Sequence, residues 1–90
     1  MNETITVKVN VLFFAKVREL TNRSSVQLEI TSKLSLKNLI EQVIIQYPSL
    51  EVLKENLIIA LNQNYVNDLN EILVLKESDE IALIPPISGG

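Results

Sequence analysis

The run SLKNLIEQVIIQYP, residues Ser35–Pro48, carries the one long helical signal of the chain. Leu36, Leu39, Ile40, Val43, Ile44 and Tyr47 recur at i, i+3, i+4, i+7, i+8 and i+11, a single apolar stripe on a helix of period 3.6. Ser35 offers its hydroxyl as an N-cap, and Pro48, with no N–H to give, stops the helix. The pattern on either side has period two. Ile5, Val7, Val9, Val11 and Phe13 fall on one face of a strand, with Thr4, Thr6, Lys8 and Asn10 on the other. Leu12 and Phe14 then turn that second face apolar, so the strand end is covered on both sides or meets a partner. AKVRELTN (15–22) reads as a short helical turn and loop. SVQLEI (25–30) alternates again, with Val26, Leu28 and Ile30 on one face, and the short link predicts an antiparallel hairpin with the first strand. After the helix, SLEVLKEN adds a turn or two, LIIAL (57–61) is a strand, NQNYVND holds a brief strand at Tyr65 and Val66, and EILVL and EIALI are further strands. The sum is an α+β domain, with one main helix lying across one face of a mixed sheet of four or five strands.

Ninety residues suffice for one domain with one modest core. The chain has neither cysteine nor histidine, which excludes disulfides, thiolate zinc sites, a cysteine nucleophile and the usual neutral-pH base. Eight basic residues are scattered without a cluster, so a nucleic-acid surface is not expected. The net charge of −3 is concentrated toward the end: from Val66 to Gly90, five acids stand against Lys76. That segment is either a solvated face or a means of steering toward a basic partner. The amino-terminal MNETITVKVN does not read as a signal peptide and no apolar run approaches a membrane span, so a cytoplasmic protein without membrane association is expected.

The ending DEIALIPPISGG (79–90) departs from globular grammar. Both glycines of the chain occupy its last two positions. Pro85 and Pro86 cannot continue a sheet ladder in the usual way and favour a stiff, extended course. Four more residues reach roughly 13 Å when extended. Ser88, Gly89 and Gly90 are small enough to enter a channel that ordinary side chains would block, and the group they present is the terminal carboxylate. A carboxylate must be activated, most simply as an acyl-adenylate, before a nucleophile can displace an oxygen. No glycine-rich phosphate loop is present, so activation falls to another protein. The plain alternative is a frayed terminus.

The ending DEIALIPPISGG, together with VLFFAKVRELT (11–21), resembles the small, sulfur-carrying subunits of molybdopterin synthase, a ubiquitin-like β-grasp family. The likeness extends over almost the whole chain, and Pro-Pro-x-Ser-Gly-Gly is its specific part. It implies a β-grasp domain over residues 1–84 with a flexible tail over 85–90. It implies that an adenylating enzyme of the ubiquitin-activating type spends ATP to adenylate Gly90, and that a sulfur donor then replaces AMP to leave a thiocarboxylate. Gly90 would carry the sulfur, Gly89 would keep the channel passable, and Pro85, Pro86, Ile87 and Ser88 would form the inserted stem. The large synthase subunit would receive the tail and supply the pocket for cyclic pyranopterin monophosphate, where two transfers build the dithiolene. The implied assembly is a heterotetramer of two small and two large subunits, with no metal and no cofactor held by this chain. A thiocarboxylate is ionised at neutral pH, so a carrier lacking histidine and cysteine needs no base of its own. Phe14 and Ile84 are candidates for contact with the large subunit, since the first and last strands of a β-grasp sheet are neighbours; the alternative is that both pack into the core. Where the family usually has glycine before the last strand, this chain has Ser78, which either fits a type I turn or accepts a positive φ at some cost.

Three other readings compete. Another β-grasp sulfur carrier, for thiazole synthesis or tRNA thiolation, would also end in Gly-Gly but not in PPISGG. A protein modifier would join Gly90 to lysines. A binding module would tolerate loss of Gly90. NQNYVNDLNE lacks the charged ligands and central glycine of a calcium loop and reads as a turn.

Overall fold

The computed structural model of the protein describes residues 5–86. Strand β1 (Thr6–Phe13) leads into helix α1 (Ala15–Thr21), then strands β2 (Ser25–Thr31) and β3 (Lys33–Ser35), helix α2 (Leu36–Gln46) and a 3₁₀ helix (Pro48–Asn56). Strands β4 (Ile58–Leu61), β5 (Asn64–Val66), β6 (Ile72–Val74) and β7 (Glu80–Ile84) follow. The main sheet has the order β2-β1-β7-β4-β5. β1 runs antiparallel to β2 and parallel to β7, so the sheet is mixed, as the alternating segments around a single long helix predict.

The helix forms as its stripe dictates. The Ser35 hydroxyl accepts the Asn38 N–H at 3.1 Å, and Leu36, Leu39, Ile40, Val43 and Ile44 are all buried. They close on Val9, Val11, Phe13, Leu28, Ile30, Ile59, Ile81 and Leu83 in one core. Tyr47, at the helix end, is half-buried and meets the Phe13 ring edge-on at 5.3 Å.

Four details correct or complete the pattern reading. Ile5 is exposed, because pairing with β2 begins at Thr6↔Thr31 and Ile5 only lends its carbonyl to the Ser32 N–H. AKVRELT forms a seven-residue helix closed by Asn22 in the left-handed region, and SLEVLKEN lies within the 3₁₀ helix. Lys33–Ser35, too short to show a period, is a strand. It pairs with β6, which places EILVL in a separate two-stranded sheet instead of the main one. Last, Ser78 takes a positive φ of 69°, the third position of a turn closed by Asp79 N–H to the Lys76 carbonyl. That is where a type II turn calls for glycine.

Candidate docking face and tail exit

The register of the sheet assigns its two faces. Val11↔Ile81 and Phe13↔Leu83 pair on the face that packs against the helices. Leu12↔Ala82, Ala82↔Ala60 and Ala60↔Tyr65 pair on the other, and the next row holds Ile84↔Ile58. Phe14 lies one residue past the last β1–β7 pair, and its N–H donates to the Leu83 carbonyl at 3.3 Å. It is 43 % exposed, while Ile84 is half-buried and Ile58 is exposed. Phe14, Ile84 and Ile58, with Leu12, Ala82 and Tyr65 beside them, make an apolar area at one end of this face. The other end is polar, with Asn10 opposite both Glu80 and Gln27 and with Lys8 opposite Glu29.

Strand direction sets the tail beside this area. β7 runs parallel to β1, so its last residue, Ile84, stands next to Phe14, and Pro85 and Pro86 continue from there, half-buried and exposed respectively. Ala15, just after Phe14, has a φ of 48°, an uncommon value for a residue with a Cβ, and there the chain turns from β1 into α1. Of the residues singled out in the sequence, Phe14, Ile84, Pro85 and Pro86 are thus brought together. Ile87, Ser88, Gly89 and Gly90 lie outside the described residues.

Ile58 and Tyr65 were not anticipated at this site. LIIAL is an unbroken apolar run whose outward member cannot be told from the sequence; only the pairing of β4 with both β7 and β5 turns Ile58 and Ala60 to the open face. The acidic residues near the end have local partners. The Glu77 carboxylate accepts the Lys8 N–H at 2.6 Å, and Asp79 accepts the Lys76 N–H at 2.8 Å and the Asn62 side-chain amide at 3.1 Å. Asp68 accepts the Asn70 N–H at 2.9 Å. These contacts lie at the surface, so the three carboxylates pin local structure while staying on a solvated face, one of the two readings the sequence offered for the acidic segment. NQNYVND forms the β4–β5 hairpin, with Asn62 and Gln63 both at positive φ. Among the described residues, no helix is long and apolar enough to cross a membrane.

Comparison with known proteins gives this geometry a lineage. The family model described as "ThiS family" matches residues 11–90. The chain belongs to this family. A molybdopterin synthase sulfur carrier subunit of Drosophila yakuba is 40 % identical over 84 residues, 93 % of this chain and 92 % of that protein. One solved relative is the complex of subunits 1 and 2 of the molybdopterin-converting factor of Helicobacter pylori. The matched chain superposes with a TM-score of 0.64 at 27 % identity, covering 93 % of this chain and 100 % of that one. Small archaeal modifier protein 1 of Methanosarcina acetivorans has a TM-score of 0.73 at 26 % identity, covering 96 % of this chain and 99 % of that one. These likenesses bear out the ubiquitin-like β-grasp expectation for this ThiS-family chain.

Proposed function

We propose that this chain is the sulfur carrier subunit of a molybdopterin synthase, working through a thiocarboxylate on Gly90. The observation that carries the proposal is the position of the PPISGG ending. It follows directly from a strand flanked by Phe14 and Ile58, in a chain 40 % identical to a protein of that name. A docking face and a narrow tail then enter a partner together.

The chemistry is divided. An adenylating enzyme joins the Gly90 carboxylate to AMP from ATP and releases pyrophosphate. A sulfur donor displaces AMP, and the C–S bond formed replaces the C–O bond lost. In the large subunit, the sulfur passes to cyclic pyranopterin monophosphate and water restores the carboxylate. This chain contributes the carrier group, its small-residue stem and the docking face. It has no side chain suited to proton transfer near neutral pH, and it turns over nothing alone. We place it in the cytoplasm, in a heterotetramer of two small and two large subunits. The H. pylori relative, solved as a complex of two subunits, supports the pairing with a large subunit.

The test is the intact mass of the untagged chain after incubation with an adenylating enzyme, ATP and a sulfur source. One oxygen-for-sulfur exchange is expected, and it should vanish when Gly90 is deleted. An unchanged mass, with the activating enzyme competent on another carrier, would overturn the proposal. The likeness to the archaeal modifier favours one second reading, conjugation through Gly90 to lysines. Gly90-dependent conjugates in extracts would support it.

A further inference from the structure

Among the described residues, five that are not glycine take a positive φ: Ala15, Asn22, Asn62, Gln63 and Ser78. Asn22 closes α1, Asn62 and Gln63 form the β4–β5 turn, and Ser78 lies in the turn before β7. The left-handed region is usual at such places. Ala15 has no such setting. It opens a helix, where a negative φ is the rule, and it stands next to the aromatic residue of the docking face.

The neighbours of Ala15 show what its conformation joins. Phe14 is still extended, with φ −118° and ψ 148°, and its N–H donates to the Leu83 carbonyl at 3.3 Å. Its carbonyl accepts the Val17 N–H at 2.9 Å and the Arg18 N–H at 3.4 Å, which starts α1. Phe14 thus ends the sheet ladder on one side and opens the helix on the other, and the change of direction falls on Ala15. Phe13 and Val17 are buried in the core, whereas Phe14 lies on the opposite face of the sheet.

We propose that Ala15 is a positioning residue, whose left-handed backbone holds the Phe14 ring on the docking face while Val17 stays in the core. With a negative φ at residue 15, the two anchors could not both be kept. Val17 is wholly buried and its N–H bond is short, while Phe14 is 43 % exposed and tied to β7 by a bond of 3.3 Å. The Phe14 side is therefore the one that yields, and the ring leaves its place beside Ile84. Alanine, the smallest side chain with a Cβ, keeps the cost of the left-handed backbone low. The role rests on the reading of this face as the one that meets the large subunit.

A double-mutant cycle tests it, read as the dissociation constant for the large subunit where circular dichroism shows each variant native. Valine and asparagine are close in size but differ in their tolerance of a positive φ. Ala15→Val should raise the dissociation constant roughly tenfold, within the roughly 15- to 100-fold that the exposed part of Phe14 can supply. Ala15→Asn and Ala15→Gly should bind as the wild type does, with Ala15→Gly no less stable than the wild type. In a Phe14→Ala background, Ala15→Val should cost no further affinity, because the ring it displaces is gone. Ala15→Leu, unbranched at Cβ, replaces Ala15→Val in the same cycle if the valine variant does not fold. A native Ala15→Val variant that binds as tightly as the wild type would overturn the positioning role. So would a loss that is equal with and without the Phe14 ring, or equal for valine and asparagine. In those cases a weakened Phe14→Ala variant leaves the docking face standing. Wild-type affinity in Phe14→Ala itself would refute the face, and the role of Ala15 with it.

Discussion

Replacing Phe14 by alanine separates the docking face from the core within one side chain. A phenylalanine contributes roughly 150–250 Å², and 43 % of this one is exposed, so about 65–110 Å² remains for a partner to cover. At ~25 cal/mol per Å² that area is worth about 1.6–2.7 kcal/mol of association, or roughly a 15- to 100-fold rise in the dissociation constant for the large subunit. The covered remainder of the ring contributes to folding by a comparable amount, so Phe14→Ala should also lower the urea midpoint. The two effects are read apart by titrating the large subunit at a temperature where the denaturation curve shows the variant fully native. A chain lacking residues 87–90 provides the second control. If docking and tail insertion are separate contributions, Phe14→Ala should weaken binding by the same factor with and without the tail. A native Phe14→Ala variant that binds the large subunit as tightly as the wild type would refute the assignment of this face.

Three further outcomes follow from local geometry and the carrier chemistry. Ser78→Gly relieves a residue with a Cβ at φ 69° while keeping the backbone bond from Ser78 N–H to the Lys8 carbonyl, so it should stabilise the fold by about 1 kcal/mol. On a domain of this size that is a rise of about 4–8 °C in Tm, measurable by circular dichroism. Ser35→Ala removes the acceptor for the Asn38 N–H and should cost about 0.5–2 kcal/mol in urea unfolding. Gly89→Val should leave Tm and large-subunit affinity close to wild type but cut sulfur transfer at least tenfold, as followed by single-turnover assay of the charged carrier, if the channel admits only small residues.

The parts legible in the sequence are those whose pattern is longer than its own period. Ser35, Pro48 and the six-residue stripe between them define α2 without reference to anything else in the chain. β1 and β2 declare themselves through four and three alternating apolar residues, Val7, Val9, Val11 and Phe13 in the one and Val26, Leu28 and Ile30 in the other. β3 has three residues and one buried side chain, Leu34, which is no pattern at all, so its pairing with β6 and the existence of a second sheet are tertiary facts. The site divides along the same line. The covalent end proposed for it, Pro85 to Gly90, is a contiguous string read by its chemistry. Its docking face is assembled from Phe14, Ile58 and Ile84, residues that only the order β1-β7-β4 makes neighbours. Phe14 betrays itself by breaking the polar alternation of β1, and Ile84 by its place before the prolines. Ile58 has no such mark, because in LIIAL both faces of the strand are apolar.

The strand that ends in the tail, β7, is central in the sheet, bonded to β1 on one side and β4 on the other. Its outward residues, Ala82 and Ile84, belong to the docking face, and its inward residues, Ile81 and Leu83, are buried in the core. Force on the tail is therefore borne by the ladder bonds of a strand held on both edges, and the register that places Ile84 beside Phe14 also fixes where Pro85 begins. A one-residue slip of β7 would turn Ile81 and Leu83 outward and carry the tail to the wrong face, at the cost of two buried side chains of about 1.5–3 kcal/mol each. Core packing thus sets where Pro85 leaves the sheet, even though none of the core residues has a part in the chemistry proposed for the tail.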